Sequence, residues 1–538
     1  MEMNLKSTMK NFLGFLSLFI LTSSVFAQTQ SYIDYWNYDK KIPKSKGQYL
    51  KGEKHGKWVY FYKEGVPREE LNYHMGILNG EAKNFYPNKE LKSIGYFYYG
   101  SQDSLFKSFY KDGQIASSGF FDNNEKIGAW EYFYPNGQLR KIGKYEAGNK
   151  SAKMVKSFTP DGKPLVVSGS GIHKDYTADG AVFELIGYKN GIEHGDYMQY
   201  YPNGDVHIKG MYNEGKKHGE WIAYFSDKTV KSKYGYKNGV LHGVCLEYFK
   251  PNVMNFKGEY DNGSKTGLWT WNYPNGKIEM KGSFLNDERH GKWEYFYPNG
   301  QISSTGSFEV GLKEGTWVYY FKDGQKEMEG DYLVDEKSGT WTYWYENGNK
   351  FQEGDYTAGT EDGMWESWFE NGQLKDKGSF SKGIITGSWE GFHDNGKKRY
   401  ESTWAEGVKN GPWKRYSENG KLLEEGNFKS GKKEGVWKTY DEKSGNLLTE
   451  GAYKEDLKTG TWKYYAPHGT LVMEQSFKNG ELNGVSKEYN AKGVITSKKE
   501  FQNNKLDGEV LIYEKGKATS KMEYKDGKLI NREILTEK

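Results

Sequence analysis

Aromatic rings and glycines recur along this chain with a period of 24. Residues 291–300 read GKWEYFYPNG, 315–324 read GTWVYYFKDG and 339–348 read GTWTYWYENG. With the tryptophan of this motif as position zero, twenty units align between 58 and 510, and seventeen of the nineteen steps between them are 24 residues. One step is 25, where Ser444 lengthens a turn, and one is 19, between Met154 and His173. A fixed period of this length marks a repeat architecture. The zero position is Trp in twelve units: Trp58, Trp130, Trp221, Trp269, Trp293, Trp317, Trp341, Trp365, Trp389, Trp413, Trp437 and Trp462. An aromatic follows at plus three in 18 of 20 units and another, such as Phe308, at plus fifteen in 17. Glycine stands at minus two in 18, as at Gly291 and Gly315. Minus six is Gly, Asn or Asp in 19, types that tolerate positive φ, so a left-handed turn residue is expected there.

Asn136-Gly137, Asn203-Gly204, Asn275-Gly276 and Asn299-Gly300 lie between apolar or aromatic runs. Asn-Gly in that setting predicts a two-residue type I′ hairpin turn, because both central residues need positive φ. Each unit then reads as a β-hairpin. Counting back from Asn299-Gly300 sets Trp293 against Gly306 and Gly291 against Phe308. The register predicts that each large ring covers a glycine on the facing strand. Glycine recurs at Gly258, Gly282, Gly306, Gly330, Gly354 and Gly378, where a side chain would collide with the ring. The expected fold is all-β: an elongated single-layer antiparallel β-meander solenoid of about twenty 24-residue β-hairpin repeats. The plus-three aromatic points away from the face that carries position zero. Either a bulge returns it to the tryptophan face, or the second face is covered by a partner, a ligand or the sheet's own curl.

Residues 1–27 stand apart. Lys6 and Lys10 precede an apolar run from Phe12 to Phe26, and Val25-Phe26-Ala27 places small side chains where a signal peptidase reads. This predicts a secretory signal peptide cleaved near Ala27 and an exported protein: periplasmic, on the outer surface or secreted. The aromatic-rich lead 28–46, with Tyr32, Tyr35, Trp36 and Tyr38, is expected to cap the first edge or stay mobile. Residues 47–165 form a first repeat arm and 188–538 a second. Between them 166–187 is irregular and a candidate hinge.

Composition supports strands over helices. Aromatics are 17% of the 538 residues, with 68 Gly and 12 Pro. A net charge of +4 over that length gives no electrostatic footprint for nucleic acid. Lys and Arg are interspersed with acids rather than clustered, which argues against a membrane surface. The single Cys245 forms no internal disulfide and occupies a tryptophan slot. His55, His194, His218, His242 and His290 share one slot, three before zero, which other units fill with Asn79, Thr266, Glu314 or Ser338. That is the profile of a polar turn position, and an even column does not converge on a metal. The sequence has no HExxH, GxSxG or P-loop motif, and no catalytic residue, cofactor or metal is expected.

The pattern G-x-W-x-x-Y, x-N-G, G-x-[YF]-x-x-G resembles the MORN repeat in its bacterial variant form, over roughly 47–538. The resemblance implies a non-enzymatic repeat protein. Such variants are often catalogued as the YwqK family antitoxin, and eukaryotic relatives are implied to be scaffolds at membranes and organelle junctions. A cytoplasmic antitoxin has no use for a signal peptide. The expectation is therefore an exported scaffold or protein-interaction ribbon with a protein partner. An antitoxin or immunity role, and glycan binding through the aromatic repeats, are the alternatives.

Overall fold

The structure, a computed structural model, describes residues 28–535. The expected signal peptide lies outside them. The described residues hold 43 strands and no helix. The chain divides into two compact units, Met1–Lys228 with seventeen strands and Thr229–Lys538 with twenty-six. Within each unit every strand pairs antiparallel with its neighbours in sequence, so each is an open meander one layer thick. The irregular stretch 166–187 lies inside the first unit.

One repeat shows how the sequence builds this. Glu288–Phe296 and Ile302–Glu309 are its strands. Between them the Tyr297 and Gly300 amides donate to the Gln301 and Tyr297 carbonyls, each at 2.7 Å. Gly300 has φ 89, but Asn299 does not have positive φ. The loop is therefore a type I turn led by Pro298 and closed by a left-handed glycine, not the expected type I′ turn. Proline fixes the φ that the first central position of a type I turn needs. Type I′ geometry sits instead at the connection between hairpins, where Asn286 and Asp287 have φ 52 and 69 and Val334 and Asp335 have φ 54 and 65. The minus-six residue is the second of each such pair.

The longer loop leaves the register unchanged. Phe296 faces Ile302 while Tyr295 faces Ser304, so Ser303 bulges and offsets the extra turn residue. Trp293 then faces Gly306, and Gly291 faces Phe308. On the other side of the same strand Gly282 faces Trp293 while Ser283 faces His290, which leaves Gly291 and Lys292 as a two-residue bulge. Gly291 has φ +67 and Gly315 φ +66, and a Cβ on either would meet nothing within 4 Å. These glycines answer to backbone conformation, not to a ring above them.

The glycines that do lie beneath rings serve the hairpin that follows. A Cβ on Gly306 would come within 2.1 Å of Trp317, and one on Gly282 within 2.1 Å of Trp293. The ring of Trp293 thus covers the glycine eleven residues behind it, in the preceding hairpin. It does not cover Gly306, which it faces in its own hairpin; this corrects the expected placement. Its indole Nε1 donates to the Ser283 carbonyl at 3.1 Å. Phe284 and Phe308 meet it edge-on at 5.2 and 5.9 Å, Trp271 and Tyr295 stack beside it at 6.0 Å, and the Arg289 guanidinium lies 5.0 Å from the ring. A single sheet thereby encloses a tryptophan, leaving it 1% exposed, without a second layer. Burying so large a ring is a main local source of stability.

In the first unit the lead residues Gln30–Tyr35 add a strand. Tyr32 packs 5.6 Å from Trp58, and Trp36 Nε1 donates to the Phe61 carbonyl at 3.1 Å.

Candidate functional site

The tryptophans named from the sequence are structural. Ten of the twelve are buried; Trp389 and Trp413 are half-buried. Eleven cover the glycine eleven residues earlier, and the same eleven donate their Nε1 to the carbonyl ten residues earlier, at 3.0–3.2 Å. With both faces and the polar edge engaged inside the protein, the buried rings present no platform for a ligand.

Cys245 fills a tryptophan slot, buried, and burial pushes its thiol up to about 11. The histidine slot is the third residue of a strand, not a turn, as His290 shows in Glu288–Phe296. His290 and His242 Nδ1 face Glu309 and Asp261 at 3.5 and 3.2 Å. No group of three His, Cys, Asp or Glu side chains among the described residues is placed to hold a metal ion.

The irregular stretch holds a cluster that the sequence did not single out. His173, at position zero, is buried, and its Nε2 lies 3.1 Å from Asp175 Oδ1, which also accepts from Arg140 Nε at 3.1 Å. Burial works against the charge of Asp175. The hydrogen bond and charge of His173, with those of Arg140, nonetheless hold its carboxyl well below the ordinary carboxylate range. Ser157 Oγ and His173 Nδ1 are buried without a partner among the described residues. The backbone crosses closely here: the Gly191 amide donates to the Gly169 carbonyl and the Met154 amide to the Gly191 carbonyl, each at 2.8 Å. The cluster takes the place of a tryptophan box where strands of four to seven residues leave no room for one.

The second face is chemically different. The plus-three aromatics stay on it, because the bulge falls in the opposite strand. Phe296, Tyr320, Trp344 and Trp368 are half-buried there. Around them run cross-strand pairs such as Lys281–Glu294 at 2.7 Å and Lys377–Glu390 at 2.9 Å, and lysine stems reach over the rings, Lys281 to Phe296 at 5.6 Å and Lys350 to Trp368 at 5.4 Å. Further along, Tyr440 and Tyr489 donate to Glu425 and Glu474 at 2.7 and 3.0 Å. The turn tyrosines stitch successive repeats: Tyr273 and Tyr297 donate to the carbonyls of Phe296 and Tyr320 at 2.8 and 2.7 Å.

The family model described as MORN repeat variant matches eleven segments: 54–75, 78–97, 102–123, 126–147, 193–214, 265–286, 289–309, 337–358, 361–382, 409–430 and 458–479. The chain is a MORN repeat variant protein. Each matched segment starts in the first strand of a hairpin, before its zero position, and the matches fall in both units. No curated protein matches the chain. Among solved structures, the MORN variant chain is similar to the TcdB2-TccC3 crystal structure at 10% identity, over 90% of this chain and 29% of that one, with a TM-score of 0.13. The Photorhabdus luminescens Tc holotoxin pore matches at 9% identity, over 89% and 29%, with a TM-score of 0.13. The chain spans less than a third of those chains, and likeness at this level carries no argument about role.

Proposed function

We propose that this MORN variant chain is an exported, non-enzymatic scaffold that binds a protein partner along the second face of its sheet. The observation that carries the reading is that face: half-buried aromatics at 24-residue intervals, set among Lys–Glu pairs, on a sheet one layer thick. Large rings in a frame of charged groups have the make-up of a protein interface, with apolar anchors and a polar rim. Export rests on the sequence pattern of residues 1–27. The glycan alternative needs exposed rings, whereas ten of the twelve position-zero tryptophans are buried and boxed and the second-face rings Trp344 and Trp368 are half-buried among charged side chains.

Capture from the envelope fraction of the native host tests both parts. Wild-type chain is expected in the exported fraction, cross-linked to a defined protein. A variant with Phe296, Tyr320 and Trp344 changed to serine should lose that cross-link while keeping its strand content. Retention of the partner by this variant, or a wholly cytoplasmic chain, would count against the proposal.

A further inference from the structure

Ten of the twelve repeat tryptophans carry a cation over the ring. It stands four residues before the tryptophan, a lysine in nine repeats and Arg289 in one. The distances to the ring run from 3.8 Å for Lys409 over Trp413 and Lys433 over Trp437 to 5.0 Å for Lys265 over Trp269. A cation held against an indole face is attracted by the ring quadrupole, most strongly where water is excluded. The two exceptions are consecutive. Glu361 precedes Trp365, Ile385 precedes Trp389, and among the described residues no cation lies over either ring.

A second change coincides with the first. At plus two, where Tyr295, Tyr319 and Tyr343 flank their tryptophans, these two repeats have Ser367 and Gly391. The Tyr400 ring lies over Gly391, where a Cβ would come within 2.1 Å of it, and beside it a cleft of about 260 Å³ is lined by Trp365, Ser367, Phe380, Ile385, Trp389 and Trp404, with Asp376 among its polar groups. Trp389 is half-buried beside the cleft, while Trp365 stays buried. Asp376 Oδ1 accepts from Tyr400 at 2.8 Å and from Arg399 Nη2 at 3.1 Å. Arg399 is held by that carboxylate, with its guanidinium 5.3 Å from the Tyr400 ring, and does not cover Trp365 or Trp389.

We propose that this cleft receives a lysine side chain of a polypeptide partner, whose ammonium takes the place that the chain's own lysine fills in the neighbouring repeats. The ligand chemistry is an alkyl ammonium. Its methylene stem would lie against Phe380 and Ile385 and its charge against the Trp389 face, near the Asp376 carboxylate. An aromatic wall at a slot that accepts a cation elsewhere in the same fold favours an ammonium over a neutral sugar; the Asp376 carboxylate at its edge is already shared between Arg399 and Tyr400. The inference rests on the protein-partner reading, but it concerns the opposite face of the sheet and is tested without the partner, so the two can fail separately.

The test uses the full chain labelled with 5-fluorotryptophan, with the Trp389 resonance assigned by Trp389→Phe. The probe is an acetyl-Gly-Lys-Gly-amide peptide, compared with its norleucine counterpart and with a cello-oligosaccharide. The lysine peptide is expected to shift the Trp389 resonance saturably at millimolar concentration, and the norleucine peptide to shift it several-fold less. Ile385→Lys places an ammonium where ten other repeats have a cation, and should abolish the response. Ile385→Met, which keeps the slot apolar, should preserve it. Equal response to norleucine, no response to lysine up to its solubility, an unchanged response in Ile385→Lys, or a stronger response to the oligosaccharide would each overturn the assignment.

Discussion

Trp413 faces Ser402 across the strands, and among the described residues its indole has no backbone hydrogen-bond partner. In the other eleven tryptophan repeats that facing residue is a glycine and the bond is present. The side chain of Ser402 instead accepts from Trp404 Nε1 at 2.8 Å. One Cβ separates the two situations, and Trp413 is half-buried. Ser402→Gly should let the Trp413 ring settle, slowing exchange of its indole proton and shifting its emission to the blue. The bond gains about 0.5–1.5 kcal/mol, and a strand glycine costs about 0.5–1 kcal/mol. Indole exchange is therefore the readout, because net stability moves little.

Two classes of glycine predict two responses. Gly315 has positive φ and open space above it, so Gly315→Asn should cost only about 1 kcal/mol, since asparagine visits the left-handed region. Gly306→Asn drives a side chain into Trp317 and should cost about 1–3 kcal/mol or more. Amide exchange across 302–320 would register the difference locally, which suits a repeat protein whose unfolding need not be all-or-none.

Alkaline pH should melt the sheet. Burial, helped in several cases by neighbouring carboxylates or hydroxyls, pushes the phenols of Tyr73, Tyr134, Tyr400 and Tyr489 up to about 12. Unfolded tyrosine titrates near about 10. The stability these groups contribute is full below that value and is lost as pH rises from about 10 through about 12. Far-UV circular dichroism should fall over this window together with the rise in tyrosinate absorbance. A sheet that stayed intact after its phenols had ionised would contradict this.

Asp175 predicts the acid limb. Its folded carboxyl lies below the unfolded value of about 3.9, so its contribution is present above that pH and is lost as pH falls through the lower folded value. Asp175→Asn leaves Arg140 and His173 without their anion. It should destabilise the first unit by about 1–3 kcal/mol at neutral pH and flatten the acid dependence. Urea titrations at several pH values, followed by exchange within 139–176, would check both.

Much of this architecture is legible in the sequence. The 24-residue period, the hairpins, the pairing of Trp293 with Gly306 and the need for glycine at Gly282 and Gly306 all follow from spacing. What misleads is the assignment of each ring to a glycine within its own hairpin, because Trp293 faces a glycine on both sides. The sequence does hold the deciding signal. Thirteen residues after Trp58, Trp221, Trp389 and Trp462 stand Leu71, Tyr234, Ser402 and Gln475, whereas eleven residues before the twelve tryptophans only Ser402 departs from glycine. The turn type was hidden because Asn-Gly suits a type I′ turn, while the preceding Pro298 selects type I. The His173–Asp175–Arg140 cluster was not legible, since Arg140 lies 35 residues from Asp175 and the period fails between them.

The packing of every repeat turns on which ring each glycine carries, and indole exchange in Gly306→Ala tests that most directly. Trp317 Nε1, bonded to the Ser307 carbonyl at 3.1 Å in the native chain, should lose its protection, while Trp293 Nε1 keeps its own. Loss of protection at Trp293 with Trp317 unchanged would place the ring over the glycine of its own hairpin and contradict the packing described.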